Sequence, residues 1–234
     1  IFQGIMGSLA LTAFVIVVAF PLGVAAAIYI EEYAKDTRLT RALVANIRNL
    51  AGVPSIVYGL LGLSVFVNLL AGVTGGRTII SGGLTLAVLV LPIMIITTSE
   101  ALRAVPQALR EASFGVGATR WETIRYHVLP VAVPAILTGS VLTIARAFGE
   151  SAPLLLSGAE LSSFFAVAQD ATVADLFTNQ PYTALPIIVY NWARQPQDEF
   201  VALTAAGIIV LLLLLLTVNA VAIIARDRIE QRRR

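Results

Sequence analysis

The sequence predicts an all-α fold, a polytopic transmembrane helical bundle, and three observations lead to it. Of 234 residues, 58% are hydrophobic and only 13% are charged, whereas soluble domains carry about 25% charged residues. The apolar residues form five runs, each long enough to cross about 30 Å of hydrocarbon. Most of the cations lie in the polar segments between these runs. We therefore predict one transmembrane domain that covers residues 1–234.

The five runs are predicted to be helices because each has about 20 residues or more, the length that a helix needs to span the bilayer. Several contain proline, and neighbouring helices of a bundle can satisfy the backbone groups that proline leaves free. The last run is the most lipid-like. The predicted spans are approximately 7–30, 50–70, 79–98, 130–156 and 201–225.

The orientation follows from the lysine and arginine residues, because cytoplasmic loops carry an excess of them. Thirteen of the 16 cations lie in loop 31–49, in loop 99–129 or in the C-terminal tail. We therefore expect these three segments to be cytoplasmic and the start of the chain to lie outside. An outside start without a visible signal peptide is unusual. A further helix before Ile1, giving six spans, would remove this difficulty.

Two polar boundaries have simple interpretations. Residues 157–199 form a long external loop that is net acidic, and its segment 185–192 is too short to span the membrane, so it is expected to be an interfacial or packed helix. The sequence Glu31-Glu32-Tyr33, directly after the first span, is interpreted as a solvated helix end.

The loop at 100–129 is a long polar, cation-bearing segment between two predicted spans. Pro106 has a fixed φ and no amide hydrogen, so it suits the first turn of a helix from Gln107 to about Phe114. Gly115 and Gly117 then interrupt the helical pattern. The loop therefore begins with one short helix and a bend.

A second short helix is predicted to start at Arg120. Thr119 and Glu122 have the spacing of a capping box, in which the hydroxyl and the carboxylate each satisfy a free backbone N–H group. Pro130 is expected to open the next element. A helix, a bend and a helix on the water side of a membrane form a compact projection, which we call the coupling knob (residues 107–128).

Five residues of this loop have the spacing of a known motif: Glu111, Ala112, Gly117, Leu129 and Pro130. The pattern resembles the EAA loop of ABC importer permeases, a family with a MetI-like fold. The resemblance implies that the loop is a coupling helix that docks into a groove of an ATPase subunit. The sequence departs from the motif at Ser113, where alanine is usual, and at His127. The implied coupling residues are Arg110, Glu111, Ala112, Gly117, Ala118, Thr119, Leu129 and Pro130.

Longer strings extend this resemblance over nearly the whole chain, among them IYIEEYA at 28–34, NLAGVPSIVYGLLGL at 49–63 and ARAFGESAPLLLSGA at 145–159. They are similar to phosphate ABC transporter permeases of the PstA type. The resemblance implies translocation of inorganic phosphate across a bacterial or archaeal plasma (inner) membrane. It also implies a second, PstC-like permease, a PstB-like ATPase dimer that holds ATP with Mg, and an external PstS-like phosphate-binding protein.

Neither an enzyme nor a nucleic-acid-binding protein is predicted. No GxxxxGK[ST] motif is present and Lys35 is the only lysine, so the phosphate cradle of a nucleotide site is missing. The chain has no cysteine and one histidine, which excludes thiolate sites and multi-histidine metal sites. We expect no cofactor on this chain, and ATP hydrolysis by a partner.

Arg146 and Glu150 are the most informative charges, because both lie in the fourth predicted span. They are four residues apart, so one helical face is expected to hold both. An arginine within a span costs ~2.5–3.5 kcal/mol on insertion scales and should face the bundle interior or a water-filled cavity. One interpretation is a pathway for an anion, in which Glu150 neutralises Arg146 at rest. The other is a structural ion pair.

The start of the second span gives a weaker signal. Asn49, Ser55 and Tyr58 lie in a segment that also contains a proline and several glycines. Small residues allow helices to approach closely, so the segment indicates either helix packing or the border of the pathway.

Other functions stay open at this point. Within the class, the alternatives are a PstC-type subunit and a permease for sulfate or molybdate. Outside it, a secondary transporter driven by an ion gradient would use Glu150 as its ion site, although paired interrupted spans, its usual sequence signal, are not evident. A membrane scaffold without transport activity would be compatible only with a structural Arg146–Glu150 pair.

Overall fold

The computed structural model describes residues 1–159 and 181–231, in which the only regular secondary structure is helical. The all-α prediction is confirmed. The α-helices are α1 (Phe2–Ile28), α2 (Arg38–Ala51), α3 (Ser55–Leu61), α4 (Ala71–Thr74), α5 (Ile79–Arg103), α6 (Gln107–Gly115), α7 (Arg120–Thr123), α8 (Leu129–Gly149), α9 (Ala152–Leu156), α10 (Leu185–Ala193) and α11 (Glu199–Gln231). Stretches of π-helix extend α1 through Tyr29–Tyr33, extend α3 through Gly62–Leu69 and join α7 to α8 through Ile124–Val128.

Among the described residues, four helical stretches are long and apolar enough to cross a bilayer: Phe2–Tyr33, Ile79–Arg103, Arg120–Gly149 and Glu199–Arg228. A fifth candidate is the pair Arg38–Ala51 and Ser55–Leu69, which is bent by 103° at a short break. With this pair taken as one broken span, the number of spans agrees with the five that the sequence predicts.

Two predicted spans are divided by breaks. The run 50–70 contains the break between α2 and α3, where Pro54 has extended ψ and serves as the N-cap of α3. The run 130–156 is divided at Glu150, whose backbone is extended beyond the end of α8, and the short helix α9 follows. Pro130 lies in the first turn of α8, as predicted, although helix continues into α8 from the π-helical stretch without a break.

The centre of the bundle is formed by α1, α5 and α8, which pack against one another. A first core cluster joins α1, α3, α5 and α9 to residues 182–187 and includes Leu11, Leu86 and Ile187. A second joins the ends of α1 and α5 to the start of α8 and includes Leu102 and Val128. The second cluster lies directly beneath the coupling knob, so the knob stands on a packed base.

Close helix contacts depend on small residues. A methyl group at Gly7 of α1 would collide with the carbonyl oxygen of Thr183, and one at Gly23 would meet the side chain of Met94 on α5. Helix α10 is packed in the way expected of a segment too short to span: residues 185–188 are buried, while Tyr190 and Trp192 are partly exposed. Much of the predicted acidic loop 157–199 lies outside the described residues.

Candidate functional site

The coupling knob has the two helices that the sequence predicts, α6 from Gln107 and α7 from Arg120. Gly117 between them has φ +88°, a conformation that glycine adopts without strain. Its N–H donates to the carbonyl of Phe114 at 3.0 Å, and the next N–H donates to the carbonyl of Ser113 at 3.1 Å. The capping box of Thr119 and Glu122 is present with both of its bonds. The predicted local structure is thus confirmed.

One buried polar contact holds the two knob helices together. The hydroxyls of Ser113 and Thr123 are 2.9 Å apart, and both side chains are buried. Ser113, at the position where the motif usually has alanine, therefore has a partner on the other knob helix. The departure from the motif has a structural explanation.

The outer surface of the knob is partly apolar. Phe114, Val116 and Trp121 are exposed although they project from a polar loop. Glu111 and Ala112 are also exposed, and Ala118 is partly buried. Large apolar side chains exposed this close together along a polar loop indicate a surface that binds another protein. Leu129 and Pro130 lie apart from this surface, at the start of α8.

Arg110 makes its hydrogen bonds with the bundle. Its guanidinium is 2.7 Å from the carboxylate of Glu32, with a second, longer contact of 3.4 Å. It also donates to the carbonyls of Leu102 and Val105, at 3.0 and 2.8 Å. Both charged side chains are largely buried, with 13% of Arg110 and 9% of Glu32 exposed. One side chain therefore joins α6 to the ends of both α1 and α5.

A second ion pair lies beside the first. Arg103, at the end of α5, makes two bonds of 2.7 and 2.8 Å with the carboxylate of Glu31. Arg120 of α7 donates to the backbone carbonyl of Glu32 at 3.1 Å and lies over the ring of Tyr33. A cavity of about 520 Å³ opens between these groups.

The interpretation of Glu31-Glu32-Tyr33 as a solvated helix end is wrong. The side chains of Glu31 and Glu32 are 12% and 9% exposed, and both bind arginines of the coupling loop. Loop 99–129 carries Arg103, Arg110, Arg120 and Arg125 against Glu100, Glu111 and Glu122, so its charge balance gives no signal for these pairs. The paired residues are far apart along the chain, so no local sequence pattern indicates the pairing.

The ion pair of the proposed pathway is formed, but with a geometry that differs from the expected helical face. Arg146 lies in the last turn of α8, and its Nε is 3.4 Å from a carboxylate oxygen of Glu150, which follows the helix end. Half of the Arg146 side chain is exposed, against 18% of Glu150. Arg146 continues an exposed stripe of α8 that also includes Val131, Ala135 and Leu142. Within the described part of the chain no helix covers this stripe fully, so the arginine is accessible.

The other three pathway candidates lie at the bend between α2 and α3. Tyr58 is buried and donates to the carbonyl of Leu50 at 2.8 Å, which fastens the bend. Asn49 is exposed at the end of α2, and Ser55 is partly buried at the start of α3. No hydrogen bond or ion pair within the described residues joins these three to Arg146. Helix α3 does approach the chain beyond Glu150, because a methyl group at Gly59 would meet Pro153.

The described residues contain no cluster of three or more histidine, aspartate or glutamate side chains placed to hold a metal ion. The site consists instead of the charged and apolar surfaces described above: a knob that can dock a protein and an accessible arginine that can attract an anion.

Similar proteins support this description. The probable ABC transporter permease YqgI of Bacillus subtilis (strain 168) is 43% identical over 141 residues, which are 60% of this chain and 47% of YqgI. Its counterpart YqgH is 40% identical over 63% of this chain and 48% of its own length. The chain thus spans about half the length of these two relatives.

Similarity to PstA-type proteins extends further along the chain and confirms the resemblance seen in the sequence. Phosphate transport system permease protein PstA 1 of Mycobacterium tuberculosis (strain ATCC 25618 / H37Rv) is 31% identical over 100% of this chain and 72% of its own length. PstA of Yersinia pestis is 34% identical over 94% of this chain and 70% of its own length.

The fold is also known from solved structures. A chain of the MetNI methionine ABC transporter, in inward-facing conformations, matches with a TM-score of 0.68 over 99% of this chain and 94% of that chain, at 21% identity. The family model of the binding-protein-dependent transport system inner membrane component matches residues 19–234. The chain belongs to this family of binding-protein-dependent transport system inner membrane components.

Proposed function

We propose that this chain is the membrane-spanning permease subunit of an ATP-driven importer and that it translocates inorganic phosphate by alternating access. The observation that carries the proposal is the coupling knob. Two short helices with an exposed apolar surface stand on a packed base between two long spans. When an ATPase docked to such a projection changes conformation, the projection is displaced and transmits this displacement to the spans on either side.

Phosphate is the proposed substrate for two reasons. The relatives that cover almost the whole chain are named as phosphate transport system permeases. In addition, Arg146 offers a half-exposed guanidinium near one end of a span, and arginine binds phosphate oxygens with two parallel hydrogen bonds. Glu150 limits the affinity of Arg146 for phosphate, because the carboxylate of Glu150 repels the anion. The pair therefore suits passage better than tight binding.

The proposed assembly contains a second permease that is PstC-like, a PstB-like ATPase dimer at the coupling knob and a PstS-like phosphate-binding protein on the opposite side. ATP with Mg binds to the ATPase subunits, and this chain performs no hydrolysis itself. The exposed stripe of α8 that carries Arg146 is where the second permease would complete the pathway. In this arrangement the basic loops and the C-terminus are cytoplasmic, in a bacterial or archaeal plasma (inner) membrane.

The mechanism follows from the positions of these groups. Arg146 is seventeen residues beyond Leu129 on α8, about 25 Å along the helix at 1.5 Å per residue. Closure of the ATPase dimer displaces the knob, α8 and its neighbours tilt, and access to Arg146 changes from one side of the membrane to the other. A small displacement at the knob is thus amplified by the length of the span.

The experiment that tests the proposal is uptake of labelled phosphate into vesicles that contain the four-component assembly. Uptake is expected to require ATP, to persist after ionophores collapse ion gradients, and to resist an excess of sulfate or molybdate. Uptake that follows an ion gradient without ATP would favour a secondary transporter. Competition by sulfate or molybdate would assign the permease to another oxyanion. Uptake that persists with two copies of a PstC-type chain in place of this one would contradict the subunit assignment.

A further inference from the structure

The first span is not covalently adjacent to the coupling knob. The knob is connected along the chain to α5 through residues 104–106 and to α8 through Ile124–Val128. The end of α1 reaches it only through space, with 78 residues along the chain from Glu32 to Arg110 and 88 from Glu32 to Arg120. Any motion that passes from the knob to α1 must therefore pass through noncovalent contacts.

The contact between Glu32 and Arg110 fixes the position of the coupling knob relative to the end of α1. Two bonds between a guanidinium and a carboxylate define both distance and orientation. The same guanidinium donates to the carbonyls of Leu102 and Val105 at the end of α5, so its bonds are directed at two different spans. Because the pair is largely shielded from water, salt and solvent weaken it less than a surface pair.

The ion pair between Asp36 and Arg41 provides a contrast only a few residues further along the chain. These two side chains make a contact of 3.4 Å, and 83% of Asp36 and 67% of Arg41 are exposed. An exposed pair of this kind contributes little and holds no fixed geometry. The chain thus offers a matched control for the buried pair.

We infer that Glu32 and Arg110 are positioning residues that make the end of α1 move together with the coupling knob. The inference rests on the proposed function and adds a route of transmission to it. ATP-driven displacement of the knob reaches α5 and α8 along the chain, and it reaches α1 through the Glu32–Arg110 ion pair, beside which Arg120 donates to the carbonyl of Glu32. Without the pair, ATP is still hydrolysed, but the first span is held to the knob only by the contacts of Arg120 and follows it loosely.

The first test compares Glu32→Gln and Arg110→Gln with the controls Asp36→Asn and Arg41→Gln in the assembled complex. ATP hydrolysis and phosphate uptake are measured on the same vesicles. The ratio of phosphate transported to ATP hydrolysed is expected to fall about tenfold in the first two variants, within the range seen for residues that couple distant sites. The controls keep the wild-type ratio. An unchanged ratio in the first two variants overturns the inference.

The double variant Glu32→Gln/Arg110→Gln separates one shared contact from two independent defects. Residues that act through the same interaction give non-additive effects, so the double variant is expected to be no worse than either single one. Effects that multiply would contradict the inference. If the glutamine variants fail to assemble, Glu32→Asp takes their place, because it keeps the negative charge but has a shorter side chain. A wild-type ratio of phosphate transported to ATP hydrolysed in Glu32→Asp also overturns the inference.

A second measurement does not depend on the substrate. The sequence contains no cysteine, so spin labels can be placed at Tyr29→Cys at the end of α1 and Tyr126→Cys beyond α7, both of which are exposed. The distance between the labels is expected to stay constant when nucleotide is added to the complex, and to change in the Arg110→Gln background. Equal behaviour in both backgrounds overturns the inference. Absence of phosphate uptake by the wild type would instead contradict the proposed function.

Discussion

The hydroxyl of Ser113 lies 2.9 Å from the hydroxyl of Thr123, and this contact joins the two helices of the coupling knob inside a buried space. It explains why serine at this position is compatible with a motif that usually has alanine. It also shows that the knob has an interior of its own, so its shape depends on more than the glycine bend.

The Ser113–Thr123 contact leads to a first prediction. Ser113→Ala leaves a buried hydroxyl without its partner, so the local free energy of opening should fall by about 1–2 kcal/mol. The double variant Ser113→Ala/Thr123→Val removes both groups and should recover part of the loss. Hydrogen–deuterium exchange at the Ala118 amide, which donates to the carbonyl of Ser113, reports the change.

The control for that experiment is Thr217→Ala, because the hydroxyl of Thr217 donates to a carbonyl one turn away on α11. Exchange at Ala118 should be unaffected by it. Equal exchange in Ser113→Ala and the wild type would mean that the contact does not stabilise the knob.

Gly117→Ala tests the bend itself. A side chain at φ +88° costs roughly 1–2 kcal/mol, while the space around Gly117 is open, so the effect must come from the backbone and not from a collision. Gly115→Ala is the matched control, since Gly115 also has open space but no positive φ. Proteolysis of the 113–120 segment should accelerate in the first variant alone. Acceleration in both variants would contradict the backbone explanation.

Packing around α1 gives a third prediction. Gly7→Ala places a methyl group against the backbone carbonyl of Thr183, and overpacking of this kind destabilises by about 1–3 kcal/mol. Thermal unfolding in detergent should occur at a lower temperature. Gly72→Ala, where a methyl group meets nothing within 4 Å, should leave the transition unchanged, and an equal shift in both would refute the packing explanation.

Arg146→Gln is predicted to keep the complex assembled while phosphate uptake falls by about tenfold or more, a change that corresponds to about 1.4 kcal/mol per factor of ten. Only the accessible cation is removed, so protein levels and ATP binding should be normal. Arg146→Lys retains the charge but not the two parallel donors, and it should have intermediate activity. Full uptake by Arg146→Gln would leave the Arg146–Glu150 pair with a structural role.

The local structure of the knob was predictable from sequence because its signals are local. A proline at the N-cap of α6, a glycine at the bend and the capping box of Thr119 and Glu122 each act over at most four residues. Likewise, the apolar runs predict spans because their composition alone determines whether they are stable in a bilayer.

The remaining features depend on tertiary contacts. The Glu32–Arg110 pair connects residues that are distant along the chain, and no periodicity indicates which carboxylate an arginine will meet. The end of α8 before Glu150 was missed for a related reason, since an apolar run such as 130–156 has the same composition whether it is one helix or two. Contacts of α9 with α3 around Gly59 and Pro153 accompany that break.

Whether the coupling knob transmits the energy of ATP to the spans is tested most directly by ATP-driven phosphate uptake, compared between Gly117→Glu and Gly76→Glu. Both glycines have positive φ, +88° and +82°, and open surroundings, so the two substitutions carry a similar backbone cost. Only Gly117 belongs to the coupling knob. Gly117→Glu is expected to reach the membrane but to lose uptake, while Gly76→Glu retains it. Equal uptake by the two variants would contradict the claim that the knob transmits the energy of ATP to the spans.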